Sequence, residues 1–369
     1  MTNIQNIYLA LLRVALWGDN GGRLSVNCEC LPEVVRLAAF QGTGPLVFDQ
    51  LLKLKDVDIP SALQLQMKQQ CLHSMMQQEV MIPLLAQAWN ALLKTDIHPV
   101  LLKGFGLAQY YPQPHLRQWG DMDVYVGQAN YHKGCKVLRE TFPQAIHTIE
   151  EREDHKHYNF EFGNAVLEMH RVSMTFYHFM DRRYYEQLEA AFLTKDGPSF
   201  RLNDLIITTP EETFNLFFVF LHAWHHFIET GMNMKQLCDV AVLIHAKREE
   251  INIVRLKEML TNLHLMEAWQ LVMYILVQYL GVPKEEVPFY TEQCKERAER
   301  FFAHVLSEGS SRPAVELHAE RASYLKRKWL TFRLRMADSR LVKPYTPRYA
   351  CHMVISSVLH GIERTMVGK

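Results

Sequence analysis

Two aspartates one residue apart, Asp121-Met122-Asp123, are the first residues whose spacing points to chemistry. In a strand, residues i and i+2 share a face. Two carboxylates held that way repel unless a cation sits between them, and hard oxygen ligands on one rigid element suit Mg²⁺ or Mn²⁺. Glu168 stands in a second alternating run, Val166-Leu167-Glu168-Met169-His170, and shares its face with His170. If that run lies beside the first, Glu168 adds the third acid that two-metal phosphoryl-transfer chemistry uses. Upstream, Leu101-Leu102-Lys103-Gly104 reads as a buried strand that ends in a glycine turn. Such a turn lets backbone N–H groups approach a phosphate closely, and Lys103 would add a point charge. Each signal alone also has a purely structural reading. Solvated aspartates on a strand edge, a surface glutamate, a turn glycine and a core histidine are all ordinary. Only the combination is specific.

The elements that must position these residues read as one small mixed α/β unit. Residues 98–103 form a strand, 104–111 a helix stopped by Pro112 and Pro114, 121–126 a second strand and 128–140 a helix. Three further strands are expected at 144–150, 156–162 and 165–170, with Gly163-Asn164 as a hairpin turn between the last two. Before this unit, apolar residues recur at helical spacing. A long helix is expected over 61–94, capped by Ser61 and kinked or broken at Pro83. From residue 180 onward the chain reads as mainly helical. Thr209, Pro210 and Glu212 mark a helix start, with Thr209 as cap, for a helix that runs to about 229. Further helices are expected near 234–247, 251–262, 266–280 and 291–307.

The order of strand, glycine turn, helix, acid-x-acid strand and later acid strand resembles the nucleotidyltransferase superfamily related to DNA polymerase β. A closer resemblance is to a bacterial family of uncharacterised nucleotidyltransferases. It is carried by Leu-Lys-Gly-Phe-Gly-Leu (102–107), Tyr-Tyr-Pro (110–112), Arg117, Asp-Met-Asp-Val (121–124) and Glu-Met-His (168–170). Thr209-Pro-Glu-Glu, His222 and Leu237-Cys-Asp239 resemble that family's helical segment. The resemblance implies that Asp121, Asp123 and Glu168 ligate Mg²⁺ (or Mn²⁺) and do the catalytic work, with Glu168 as second-metal ligand or general base. It implies that Lys103, Gly104 and Arg117 bind the phosphates of an NTP. His170 and Asp239 are possible accessory residues. Phe105 departs from the superfamily, which usually carries Gly or Ser there.

The fold expected is α+β: a nucleotidyltransferase-type mixed α/β core at 93–175, flanked by an N-terminal helical region (1–92) and a C-terminal one (176–369). The expected function is transfer of a nucleoside monophosphate from an NTP to an unknown acceptor, with release of pyrophosphate. The alternative is a catalytically weak nucleotide-binding or partner-binding scaffold of the same fold.

Composition narrows the rest. The chain has 369 residues, 40 basic and 40 acidic side chains and a formal net charge of +0, so no overall field attracts nucleic acid. Seven cysteines without CxxC spacing give no disulfide framework or zinc ribbon. No apolar run approaches the roughly 20 residues of a membrane span, and a soluble, cytoplasmic protein is expected. No Walker loop, GxGxxG or GxSxG is present. His222 and His226 share a helix face at a spacing that can bind a transition metal, which supports a third reading as a metal phosphohydrolase. The basic stretch 321–348, with interleaved aromatics, is a solvated helix face or a surface for RNA or an acidic protein.

Overall fold

The computed structural model describes residues 1–18, 28–55, 57–147, 156–309, 333, 336–337 and 339–355. A four-stranded sheet of order β1-β2-β4-β3 forms the heart of the α/β unit. Its strands are β1 (Val100–Leu102), β2 (Asp121–Tyr125), β3 (His157–Phe162) and β4 (Ala165–His170). β2 and β4 run parallel, and the β1–β2 and β3–β4 pairs are antiparallel. The crossover from β2 passes through α6 (Gly127–Thr141), as parallel neighbours require.

The two-residue period of the strands separates core from site. Met122 and Val124 of β2, with Ala165, Leu167 and Met169 of β4, are buried in one apolar cluster. That cluster also takes Tyr131, Cys135 and Leu138 from α6 and Met81, Leu85, Trp89 and Leu92 from the long helix α4 (Ser61–Leu93). Asp121, Asp123, Glu168 and His170 therefore emerge on the opposite face. A slip of one residue in either strand would turn that strand's two site residues into the apolar layer. β1 alternates likewise: Leu101 joins this cluster, and Val100 and Leu102 join the helical one.

The second apolar cluster holds α1 (Asn3–Trp17), α2 (Leu31–Phe40), α3 (Gly44–Lys53) and the helices after residue 210. At its centre lies α8 (Glu212–Glu229), where Phe214, Phe217, Phe218, Phe220 and Trp224 are all buried. A helix apolar on all sides belongs inside a helical layer. Around it stand α9 (Met234–Lys247), α10 (Ile253–Asn262), α11 (Met266–Leu280) and α12 (Lys295–Glu308).

Several local expectations change. α4 continues through Pro83 without a break. Its first half packs on the helical cluster through Met67, and its second half on the sheet cluster. Ser61 is the first helical residue rather than the cap, which is Pro60. Thr209 does not cap α8. Glu211 does, accepting from the Phe214 N–H at 3.0 Å, and the Thr209 hydroxyl donates to the Pro198 carbonyl instead. The helix after the glycine turn is a single turn, α5 (Phe105–Ala108). Of the strand expected at 144–150, Ile146 forms one bridge to Glu161, and 148–150 lie outside the described residues.

After α7 (Phe179–Phe192), residues expected to be helical form a hairpin, β5 (Ser199–Leu202) and β6 (Leu205–Thr208), which packs against β1 and the sheet cluster. Ser173 is buried. Its backbone N–H and hydroxyl both donate to Glu189 of α7. The basic stretch lies largely outside the described residues. Among those described, no helix is long and apolar enough to cross a membrane.

Candidate active site

The parallel register sets Asp123 directly beside Glu168 and Tyr125 beside His170. Ligand oxygens of Asp121, Asp123 and Glu168 lie within 4.8 Å of one another. Asp123 is 1% exposed, and its Oδ2 has no hydrogen-bond partner among the described residues. A buried carboxylate oxygen left unpaired is costly, and a cation is the usual remedy. The donor set and the orphaned oxygen together fit a hard divalent ion such as Mg²⁺ or Mn²⁺.

Two basic side chains make contact with these acids. Lys103 Nζ lies 3.0 Å from Asp123 Oδ1 and 3.5 Å from Asp121 Oδ2. Burial alone would lower its pKa, but Asp121, Asp123 and Glu168 outweigh burial and raise it. Lys103 thus neutralises the aspartates rather than standing free for a phosphate. His170, 1% exposed, places Nε2 2.9 Å from Asp123 Oδ1 and 3.3 Å from Glu168 Oε2. Its Nδ1 faces the Val172 carbonyl at 3.3 Å. Burial opposes charge on His170, yet its bonds to Asp123 and Glu168 raise its pKa. Asp123 and Glu168 move the other way: burial pushes both up, and Lys103 and His170 for Asp123, and His170 for Glu168, pull them below the usual carboxylate range.

The glycine turn is tight. Lys103 and Gly104 have φ of 38° and 48°, and a Cβ on Gly104 would sit 3.3 Å from the Asp121 carbonyl. Only glycine combines that backbone angle with so close an approach to β2. Strain at Lys103 holds its ammonium over the acids. Phe105 stacks edge-on against Trp119, with ring centroids 4.1 Å apart, so its departure from the superfamily residue has a packing role.

Opposite the sheet stands a wall of helices, and between the two lies a cavity of ≈ 230 Å³. Lys103, Gly104 and Asp121 border it from the sheet side, and His222, His226, Asn233 and Lys235 from α8 and the start of α9. Arg117 and Asp239 border it too, but bound to each other. Arg117 Nε and Nη2 donate to the two carboxylate oxygens at 2.7 Å, and the Tyr111 hydroxyl donates to Asp239 Oδ1 at 2.7 Å. Arg117 Nη1 is buried without a partner among the described residues. The first N–H groups of α9 are occupied, Met234 and Lys235 by Gln41 and Gln236 by Asn233. What this wall offers a ligand is therefore side chains, above all Lys235, which forms no ion pair among the described residues. Burial, and after it Arg117, lowers the pKa of Lys235. Burial, and after it Lys103, pushes His222 well below the usual imidazole range and His226 to about 4.

The structure thus brings Lys103, Gly104, Arg117, Asp121 and Asp239 to the lining of one cleft, with Asp123, Glu168 and His170 grouped beside Asp121 on the same sheet face. The sequence reading missed Lys235, whose only signal is the Asn233…Gln236 capping box before α9. It gave no role to His157, which lies on β3 across from His170. His222 and His226 belong to no group of three metal-ligating side chains among the described residues.

A mixed sheet opened by a strand and glycine turn, with acids on two adjacent parallel strands, defines an α+β protein with a nucleotidyltransferase-type domain. The chain belongs to the family described as uncharacterised nucleotidyltransferases, whose pattern matches residues 30–281. No curated protein and no solved structure matches it significantly.

Proposed function

We propose that the protein transfers a nucleoside monophosphate from an NTP to an acceptor hydroxyl or similar group, with Mg²⁺ (or Mn²⁺) held by Asp121, Asp123 and Glu168. The observation that carries this reading is the orphaned Asp123 Oδ2 inside a three-carboxylate set of which Asp121 borders the cleft. The divalent ion supplies neutralisation of phosphate charge and a lower pKa for the attacking hydroxyl. The chain's own residues do the rest. Lys235 borders the cleft as a partner for the polyphosphate, and Arg117, held by Asp239, adds positive charge to the same lining. The Gly104 turn presents bare backbone to the cleft, where a phosphate can approach it closely. Lys103 neutralises the acids until the nucleotide complex forms. The new bond joins the acceptor oxygen to the α-phosphorus, the bond from that phosphorus to the β-phosphate oxygen breaks, and pyrophosphate leaves. The acceptor's proton goes to a carboxylate of the set.

The test is thermal unfolding with ATP, GTP, CTP and UTP, with and without Mg²⁺, followed by release of pyrophosphate from the nucleotide that binds. A ligand at about a hundred times its Kd stabilises by about 2.7 kcal/mol, which is easily read. Stabilisation that needs both Mg²⁺ and the aspartates supports the reading, and no response to any nucleotide overturns it.

One observation favours a second reading, the weak or non-catalytic scaffold. Lys103 Nζ already lies between the aspartates, so the chain supplies a cation of its own. A nucleotide response that is indifferent to Mg²⁺, with no pyrophosphate release, would select this reading.

A further inference from the structure

His157 is the residue of the sheet face that the proposed reaction does not use. It lies on β3 directly across from His170, so both imidazoles leave the sheet on the Glu168 side. Their ring centroids are 5.0 Å apart. His157 Nδ1 is buried, has no hydrogen-bond partner among the described residues, and stands 3.6 Å from Glu168 Oε2. His170 Nε2 stands 3.3 Å from the same oxygen. Ligand atoms of the three residues all fall within 4.8 Å of one another.

We propose that His157, Glu168 and His170 form a second cation site, which takes a transition-metal dication such as Zn²⁺ or Mn²⁺ in preference to Mg²⁺. Bonds of about 2.1 Å put the ligands of a tetrahedral centre about 3.4 Å apart. The two separations around Glu168 Oε2, 3.3 and 3.6 Å, straddle that figure. Imidazole nitrogen selects borderline metals, and Mg²⁺ keeps to oxygen. His170 is oriented as a ligand usually is, with its other ring nitrogen on the Val172 carbonyl. His157 is only partly buried, so its ring can close the remaining gap without disturbing the core. Three protein ligands leave a position open for water or a substrate oxygen. Glu168 has a second oxygen for the Asp121/Asp123 position, so it bridges the two sites. The inference shares Glu168 with the nucleotidyl-transfer reading, but its test needs no nucleotide.

The experiment uses the metal-stripped full chain. Mn²⁺ is added and pulsed EPR reads ¹⁴N coupling from coordinated imidazole, while calorimetry gives the Zn²⁺ affinity. Wild type is expected to show nitrogen coupling. His157→Ala should reduce it and weaken Zn²⁺ binding at least about tenfold, since even residues that only support a ligand contribute that much. His157→Gln, which fills the space without an imidazole, should behave alike and controls for misfolding. Asp121→Asn should keep the nitrogen coupling. Absence of ¹⁴N coupling at saturating Mn²⁺, or coupling and Zn²⁺ affinity unchanged in both His157 variants, overturns the site. The two readings fail separately. A Mg²⁺-dependent nucleotide response without nitrogen coupling removes only this inference, and nitrogen coupling without any nucleotide response removes only the other.

Discussion

The two walls of the cleft treat charge in opposite ways. On the sheet, each of the three site acids meets a basic neighbour: Asp121 and Asp123 share Lys103, and Asp123 and Glu168 share His170. On the helical wall, one buried pair, Arg117 with Asp239, holds the structure. Lys235, His222 and the third Arg117 nitrogen are left without partners among the described residues. The sheet side is an acid cluster that Lys103 and His170 neutralise only in part, three carboxylates against two basic groups. Under the proposed function, a nucleotide carried with a metal ion would satisfy both walls at once.

The sharpest way to break this comparison is to remove an acid. Asp121→Asn is expected to take turnover to background, about 10⁴-fold or more, or roughly 5 kcal/mol in the barrier. The fold should survive, because Asp121 is partly exposed and the apolar face of β2 is untouched. Turnover at the wild-type rate would mean that the sheet wall is not where the chemistry happens.

Next comes the pair that sets the helical wall. Asp239→Ala leaves the Arg117 guanidinium buried and unpaired. Breaking a buried pair from one side costs about 3–5 kcal/mol. A urea melt should show the loss, and nucleotide binding should weaken with it because α9 carries Lys235. A melt within about 1 kcal/mol of wild type would show that water reaches Arg117 and that the pair does not position the wall.

Behind the sheet face, Glu189 gives a pH signature. Burial, against the opposing bonds from Ser173, raises its pKa from 4.5 to about 7. An acid with a raised folded pKa favours folding fully below its unfolded value, and that contribution is lost as pH rises through the folded one. Wild-type stability should therefore fall by about 3 kcal/mol between about pH 4.5 and 7 relative to Glu189→Gln. Parallel pH curves for the two proteins would contradict the assignment.

How legible these walls are in the sequence follows from their physics. β2 and β4 could be read because a two-residue alternation shows within five or six residues, and that alternation also fixes which side chains share a face. The strands do not reveal who neutralises them. Lys103 reaches the aspartates through a left-handed backbone turn, and Arg117 finds Asp239 across 122 positions of chain. No local pattern encodes either contact. The hairpin of β5 and β6 was missed although Asn203-Asp204 is a two-residue turn between alternating runs, with Asn203 at φ 51°. Its neighbours Thr209 to Glu212 gave a strong helix signal that overshadowed it. Lys235 had no signal of its own, because an unpaired lysine becomes unusual only once burial is known.

The smallest effect, and the finest test of the comparison, falls on Lys235. If the helical wall waits for an anion, Lys235→Met should weaken nucleotide binding by about tenfold, or about 1.4 kcal/mol, and leave the metal affinity of the acids unchanged. The methionine keeps the length of the side chain, so packing at the start of α9 is preserved. Burial and the neighbouring Arg117 lower the Lys235 pKa, so its ammonium loses its proton earlier than an ordinary lysine does. Wild-type nucleotide affinity should therefore decline as pH rises below the usual lysine range, and the Met variant should be weaker but flat over the same window. An equal decline in both proteins would assign the pH dependence to another group. Unchanged affinity in the Met variant would show that Lys235 is not the wall's contact to the nucleotide.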